Sequence, residues 1–490
     1  MISTVLVANR GEIACRILRA CKEAGLSSIA VYADNDAHSL FVELATKSVR
    51  LEGDSITETY LNQQQILKIA RENGADAIHP GFGFLSERAD FAQAVIDSGI
   101  TWIGPSAMAI EKMGDKMTAR TTMKAAGVPV IPGEEIEQDD AEEALEAIRE
   151  ASQRVGFPLL LKASSGGGGK GMRVVNMPDE LDDAVSGARR EAIAAFGDGR
   201  VYVERLLTGS KHVEIQILAD RHGRTIHLGE RECSVQRRHQ KVFEEAPCPT
   251  MTPQLRERMG QAAILAAQAV DYVGAGTVEF LLASSGEFFF LEMNTRIQVE
   301  HPVTEMVTGV DIVREQLRIA SGEPMSCSEL NIRGHSIEVR LYAEDATNNF
   351  LPAIGPLVVF EPPVGPGVRL DTGVRQGDEV TPNYDPMLAK LVVWAPSREE
   401  ALQKMRRALD EFVVLGTTTN IGFLRELCDQ EDVVNGSTDT TLIDRVWPNG
   451  WKPMIPQALV EAGLMVAGIS ESSGKPVSYT HLRAHETSRY

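Results

Sequence analysis

Residues 277–302 read TVEFLLASSGEFFFLEMNTRIQVEHP. Two runs of β-branched, aromatic and aliphatic residues flank Ser285–Gly286, a dipeptide suited to a two-residue hairpin turn. Pairing outward from that turn, opposed residue numbers sum to 571, so Glu279 is expected to face Glu292. Side chains opposed in this way have Cβ atoms about 5 Å apart. Two carboxylates so close repel each other unless a proton or a cation lies between them. Asn294 follows on the same face. Two carboxylates and an amide oxygen make a hard donor set suited to Mg²⁺ or Mn²⁺. Glu292, Asn294, Arg296, Gln298 and Glu300 alternate with Met293, Thr295, Ile297 and Val299. In an extended chain every second side chain points the same way. One edge would then present metal ligands, a guanidinium, an amide and a carboxylate. The competing reading is an amphipathic strand with a solvated face.

Upstream, ERECSVQRRHQKVFEEAP begins at residue 230. Residues 231–241 hold four basic side chains and one acidic one, in a chain with 49 Lys and Arg against 69 Asp and Glu. That local inversion of charge suggests an anion pocket. Lys162 ends an apolar strand, and SSGGGGKG follows before a further strand at 172–175. Two strands joined by a glycine run make a hairpin flap. The Walker pattern fails, because Ser164 stands where its first Gly belongs and Gly171 where Ser or Thr belongs. Lys116 sits beside Asp115, a candidate helix N-cap.

The first 112 residues alternate strand and helix. Val5–Ala8 is a strand, and Ile13, Ala14, Ile17, Leu18 and Cys21 fall on one helical face. Gly25 ends that helix, and later strands fall at 29–32, 77–78 and 102–103. The pattern predicts an open α/β sheet. Its nearest approach to a dinucleotide fingerprint is GFGFLS at 81–86, which ends in Ser and follows a late strand, so packing or a domain contact is expected for it. Residues 335–395 are β-rich, and Ser397 with Glu400 opens a helix with Ala401, Leu402, Met405, Ala408, Leu409 and Phe412 as its buried stripe.

The net charge of −20 over 490 residues argues against nucleic acid as a partner. Cys15, Cys21, Cys233, Cys248, Cys327 and Cys428 form no CxxC pair, as expected of reduced thiols in the cytoplasm. No basic leader and no apolar run near 18 residues suggests export or a membrane. Residues 476–490, PVSYTHLRAHETSRY, read as a foreign tail.

Lys116, Lys162, GGGGKG, HVEIQ at 212–216, QRRHQK at 236–241 and EMNTRIQVEHPVTE at 292–305 occur in one order and spacing. With VANRGEIACRILRACKE and IHPGFGFLSE, they make residues 1–447 resemble biotin carboxylase of the ATP-grasp superfamily. The resemblance implies an N-terminal pre-ATP-grasp α/β domain (1–114) and an ATP-grasp domain with a glycine-rich lid (115–330, lid about 133–205). A β-rich C-terminal domain (331–447) and a linker with the tail (448–490) would follow. It implies that Lys116 and Lys162 contact the phosphates of ATP, with Gly166, Gly167, Gly168, Gly169 and Gly171 closing over them. Glu204 and Leu206 would hold adenine, and His212, Gln236 and His239 the ribose side. Glu279, Glu292 and Asn294 would hold Mg²⁺ or Mn²⁺. Lys241, Arg296, Gln298 and Val299 would bind bicarbonate, Glu300 would take its proton, and Arg340 would face the ureido oxygen of biotin.

The activity so implied is ATP-dependent carboxylation of biotin on a carrier protein, as half of an acetyl-CoA or propionyl-CoA carboxylase. Biotin carboxyl carrier protein, carboxyltransferase and a second copy of the chain are the expected partners. No Ala-Met-Lys-Met tetrapeptide occurs, so carrier and carboxyltransferase are expected on other chains or in a lost continuation. Phe82 stands where the family often has Tyr. The alternatives are another ATP-grasp ligase, of carboxylate–amine or carbamoyl-phosphate type, and a silent nucleotide-binding subunit.

Overall fold

The computed structural model describes residues 2–453 except 137–139, 164–171, 197–198, 239 and 328–329. The glycine run from Gly166 to Gly171, His239 and the suspected tail therefore lie outside the described residues. The chain divides into two compact units. The first comprises Met1–Gly114, Lys211–Val278 and the chain from Met293 onward; the second comprises Asp115–Ser210 and Glu279–Glu292.

In the first unit, β1 (Thr4–Val7), β2 (Ser27–Tyr32), β3 (Lys47–Arg50), β4 (Ala77–His79) and β5 (Thr101–Trp102) form a parallel sheet in the order β3-β2-β1-β4-β5. The helix Gly11–Glu23 follows β1 and buries the five apolar residues its period marked. Asn9, in the turn before it, donates from Nδ2 to the carbonyls of Pro80 and Phe82, both at 2.7 Å. A Cβ at Gly81 would lie 3.0 Å from Asn9 Nδ2 and 3.1 Å from Ile13 Cγ1. The glycine permits this close approach at a φ of +66°. The GFG loop thus serves packing, as expected.

The second unit holds β6 (Gly133–Ile136), β7 (Leu159–Ala163), β8 (Arg173–Val175) and β9 (Val201–Arg205) in the antiparallel order β6-β9-β7-β8. The helices Ala141–Val155 and Leu181–Phe196 contribute Ala144, Ile148, Leu181 and Val185 to a core with Leu159, Leu161, Val175, Val201 and Val203. β7 and β8 pair as the hairpin expected on either side of the glycine run.

The larger sheet of the first unit contains β10 (Lys211–Ala219), β11 (Thr225–Arg237) and β12 (Gln240–Ala246). The hairpin of β13 (Gly274–Leu282) and β14 (Phe288–Asn294) comes next in the chain, then β15 (His335–Tyr342), β16 (Val368–Thr372) and β17 (Met387–Ala395). Within this unit the antiparallel order is β10-β11-β12-β15-β17-β16. Ile337, Val339, Leu341, Leu391 and Val393 face the helix Arg398–Glu411, whose expected stripe is buried against them. Ser397 caps that helix, accepting from Glu400 N at 3.3 Å. The opposite face carries Glu244, Glu338, Arg340 and Lys390, side by side in register. The helix His301–Thr308 lies on that face, with Val303 and Val307 against Ala246 and Val392. A sheet covered on both sides leaves all eight residues of β15 buried, so Arg340 pairs with Glu244 and Glu300 from neighbouring elements, and burial pushes the Glu338 carboxyl well above the usual range.

Candidate active site

The polar face of the sheet meets the segment that follows β14. β14 ends at Asn294, and residues 295–300 leave the extended conformation before the helix opens at His301 with Pro302 in its first turn. The single extended edge from Glu292 to Glu300 is therefore corrected. Strand geometry stops at Asn294, and a bent segment aims the later side chains separately.

Glu300 is the convergence point. Lys241, near the start of β12, donates from Nζ to Glu300 Oε1 at 2.7 Å and to Glu214 Oε2 of β10 at 2.6 Å. Arg340 of β15 donates from Nη2 to Glu300 Oε2 at 3.0 Å and from Nε to Glu244 Oε1 at 2.6 Å. Glu300 is 2 % exposed. Burial alone would raise its pKa, but the charges of Lys241, Arg340 and Arg231 outweigh it and hold the carboxyl well below the usual range. Burial pushes Glu244 up to about 7, against the pull of Arg340 and with help from the negative charge of Glu300.

Gln298 is set by Arg231, whose side chain is fully buried. Nη2 of Arg231 donates to Gln298 Oε1 at 2.7 Å and to Thr277 Oγ1 at 3.0 Å. Nη1 donates to Gln216 Oε1 at 2.8 Å and to Thr304 Oγ1 at 2.9 Å, and Nε pairs with Glu214. Every N–H of the guanidinium is thereby used. Arg296 donates from Nη2 to Asn294 Oδ1 at 2.8 Å and from Nε to Glu87 at 2.9 Å. Val299 presents its carbonyl to Lys390 Nζ at 3.0 Å.

The structure therefore brings Lys241, Glu300 and Arg340 into direct contact, and sets Gln298 through Arg231. His212 and Gln236 also meet, His212 Nδ1 lying 3.0 Å from Gln236 Nε2. The basic run 231–241 does not converge on one anion pocket. Arg231 is consumed by internal bonds, Arg237 pairs with Glu344 at 2.9 Å, and Arg238 donates to Asn349 Oδ1 at 2.7 Å. Side-chain alternation along β11 and the turn after it separate these charges. Glu87, Glu214, Arg231, Glu244 and Lys390 were given no roles from sequence. All but Lys390 sit inside quoted motifs, where a buried charge reads like any other polar letter.

In the second unit, Lys162 of β7 forms an ion pair with Glu204 of β9. Leu206 N–H donates to Pro158 O at 3.0 Å. Lys116 opens the helix Lys116–Ala125 behind Asp115, whose Oδ1 accepts from Thr118 N at 2.7 Å. The turn between β13 and β14 differs from expectation. Ala283 N–H donates to Glu287 O at 2.8 Å and Gly286 N–H to Ala283 O at 2.9 Å, with Gly286 at φ +81°. This is a three-residue loop in which glycine supplies the left-handed position. Opposed residues next to it sum to 570, so direct opposition of Glu279 and Glu292 does not follow from the turn. Glu279 is buried, whereas Glu292 is exposed.

Among the described residues no helix is long and apolar enough to cross a membrane. Residues 1–110 match the family model of the biotin carboxylase N-terminal domain. Residues 115–328 match the carbamoyl-phosphate synthase L chain ATP-binding domain, and 338–445 the biotin carboxylase C-terminal domain. A biotin carboxylase of Nostoc sp. is 48 % identical, over 90 % of this chain and 98 % of its own length. A mitochondrial methylcrotonoyl-CoA carboxylase subunit alpha of Dictyostelium discoideum is 47 % identical, over 97 % of this chain and 68 % of the relative. The chain spans 60–68 % of the length of the subunits of this kind that it matches. Among solved structures, the biotin carboxylase domain dimer of Hydrogenobacter thermophilus 2-oxoglutarate carboxylase, in complex with MgADP, ADP and bicarbonate, superposes with a TM-score of 0.84. That domain is 44 % identical, with 91 % of this chain and 98 % of the domain covered. The converging Glu300, Lys241 and Arg340 thus sit in a chain whose three matched segments and ATP-grasp fold make it a member of the biotin carboxylase family, ATP-dependent ligases that carboxylate biotin.

Proposed function

We propose that this chain carboxylates biotin on a carrier protein with ATP and bicarbonate, and that Glu300 is the base. The observation that carries the reading is the Glu300 carboxylate held between Lys241 and Arg340. A carboxylate is a weak base, with an unperturbed pKa of about 4.3, so the site must make bicarbonate more acidic. Lys241, Arg296 and Gln298 do this by stabilising the dianion. Its oxygen attacks the γ-phosphorus of ATP, the bond to ADP breaks, and carboxyphosphate forms. Carboxyphosphate divides into CO₂ and phosphate, and phosphate takes the ureido N–H proton of biotin. Arg340 stabilises the negative charge that develops on the ureido oxygen, and the nitrogen attacks CO₂.

Lys116 and Lys162 neutralise the phosphates, with the 166–171 glycines as their cover. Glu204 and Leu206 serve adenine, and His212, Gln236 and His239 the ribose side. Glu279, Glu292 and Asn294 fit a hard divalent cation by their donor chemistry, two carboxylates and an amide oxygen. Such an ion would neutralise phosphate charge.

The identities to a methylcrotonoyl-CoA carboxylase subunit and to a 2-oxoglutarate carboxylase domain support biotin as the common substrate. They do not single out the acetyl-CoA or propionyl-CoA type, so the final acceptor belongs to whichever carboxyltransferase the chain serves. A carrier protein, that carboxyltransferase and a second copy of this chain complete the proposal. Six free cysteines agree with a reducing compartment such as the cytoplasm. The test is MgATP hydrolysis by the purified chain, which should depend on bicarbonate and rise with free biotin. A response to an amine in place of biotin would favour a carboxylate–amine ligase.

A further inference from the structure

Lys390 takes no part in the chemistry above, yet its side chain is fully buried beside the reacting segment. It lies on β17, opposite Arg340 of β15 and Asp371 of β16. Its ammonium is 2.9 Å from Glu12 Oε1 and 3.7 Å from Asp371 Oδ2, and it donates to the Val299 carbonyl at 3.0 Å. An ammonium without water needs anions around it, and Glu12 and Asp371 supply them. Asp371 is itself braced by Arg369 at 2.7 Å, and Arg369 reaches Glu305 at 2.8 Å. The remaining bond, to Val299, falls on a neutral carbonyl immediately before Glu300. Glu12 comes from the NRGE turn that opens the first helix, a motif the chemistry has left without a role.

We propose that Lys390, anchored by Glu12 and Asp371, is a positioning residue that fixes the Val299–Glu300 peptide for bicarbonate. Holding the Val299 carbonyl fixes the plane of that peptide, and with it the point from which the Glu300 side chain departs. The inference deepens the reading of bicarbonate activation and rests on it. Because Val299 stands among the expected bicarbonate-binding residues, a displaced Val299–Glu300 peptide weakens bicarbonate binding, and a small displacement of a reacting group also costs rate, about 10²-fold for 1 Å.

The test uses the full chain with MgATP, free biotin and varied bicarbonate. Lys390→Met keeps an unbranched side chain one atom shorter and removes its donors. It should raise the KM for bicarbonate by at least about 10-fold while the KM for MgATP stays within about 2-fold. Glu12→Gln, which leaves the lysine in place with a weaker anchor, should shift bicarbonate KM in the same direction by less. A merely structural role would reduce the active fraction equally at every bicarbonate concentration. Unchanged bicarbonate KM in Lys390→Met overturns the proposal; if that variant does not fold, unchanged KM in both Glu12→Gln and Lys390→Arg overturns it. A wild-type chain without bicarbonate-dependent turnover would instead sink the reading of function beneath it.

Discussion

Glu244 of β12 and Glu338 of β15 lie directly opposite each other, and both side chains are completely buried. Like charges in this relation repel, and burial disfavours each charge further. Burial raises Glu338 well above the usual carboxylate range and brings Glu244 to about 7. A carboxyl whose pKa is raised in the folded state binds its proton more tightly there. The stability it contributes is fully present below the unfolded value, about 4.3, and is lost as pH rises through about 7. The variant Glu244→Gln is uncharged throughout. It should therefore lose less stability than wild type between about pH 5 and pH 8, by on the order of 3 kcal/mol at most. Urea unfolding at several pH values measures this, and parallel curves would contradict it.

Glu300 has the opposite sign. Its pKa is depressed, so its contribution to stability is present above the unfolded value and disappears only as pH falls through the folded one. It is ionised at every pH where the chain would work, and an acid limb of activity near neutrality must come from another group. Glu300→Gln should reduce bicarbonate-dependent turnover by about 10²–10⁴-fold, the usual worth of a positioned base. Nucleotide binding, followed by equilibrium titration with MgADP, should hardly change. Retained turnover would remove the base from Glu300.

Arg340 joins Glu244 to Glu300, so its loss has two consequences. Arg340→Ala should hurt biotin carboxylation more than the slow ATP hydrolysis expected without biotin, because only biotin presents the ureido oxygen. It should also destabilise the fold by about 3–5 kcal/mol, the cost of leaving buried carboxylates unpaired. Equal loss in both reactions would separate Arg340 from biotin.

Much of this arrangement was legible in the sequence, for physical reasons that differ from residue to residue. The helix Gly11–Glu23 and the stripe from Ala401 to Phe412 were readable because period and burial coincide there. Lys241 and Glu300 lie in motifs whose order carries the resemblance, whereas Arg340 lies in none of them and was named only through it. The extended edge from Glu292 to Glu300 was misread because alternation of letters persists after the backbone has left the strand at Asn294. The turn at 284–286 is one residue longer than read, since glycine takes the left-handed position in both turns and the choice rests on Ser285, which a two-residue turn would also need at positive φ and which does not adopt it. The basic run failed as one pocket because β11 is covered on both faces, a tertiary fact that local charge does not reveal.

Arg231 and Gln298 give the sharpest test of how the site is held. Arg231 spends one donor on Gln298 Oε1, which turns the amide so that its NH₂ points away from the guanidinium. Replacing it by lysine keeps the charge but not the five-donor fork. Arg231→Lys should lower the unfolding midpoint and raise the bicarbonate KM, since Gln298 and the Glu214 partner of Lys241 both lose their anchor. Gln298→Ala should raise that KM alone, with little effect on the unfolding midpoint. If Arg231 acts through Gln298, the double variant should fall short of the sum of the two singles by about 0.5–3 kcal/mol in transition-state energy. Strict additivity in kcat/KM for bicarbonate would show that Arg231 supports the sheet without orienting the amide.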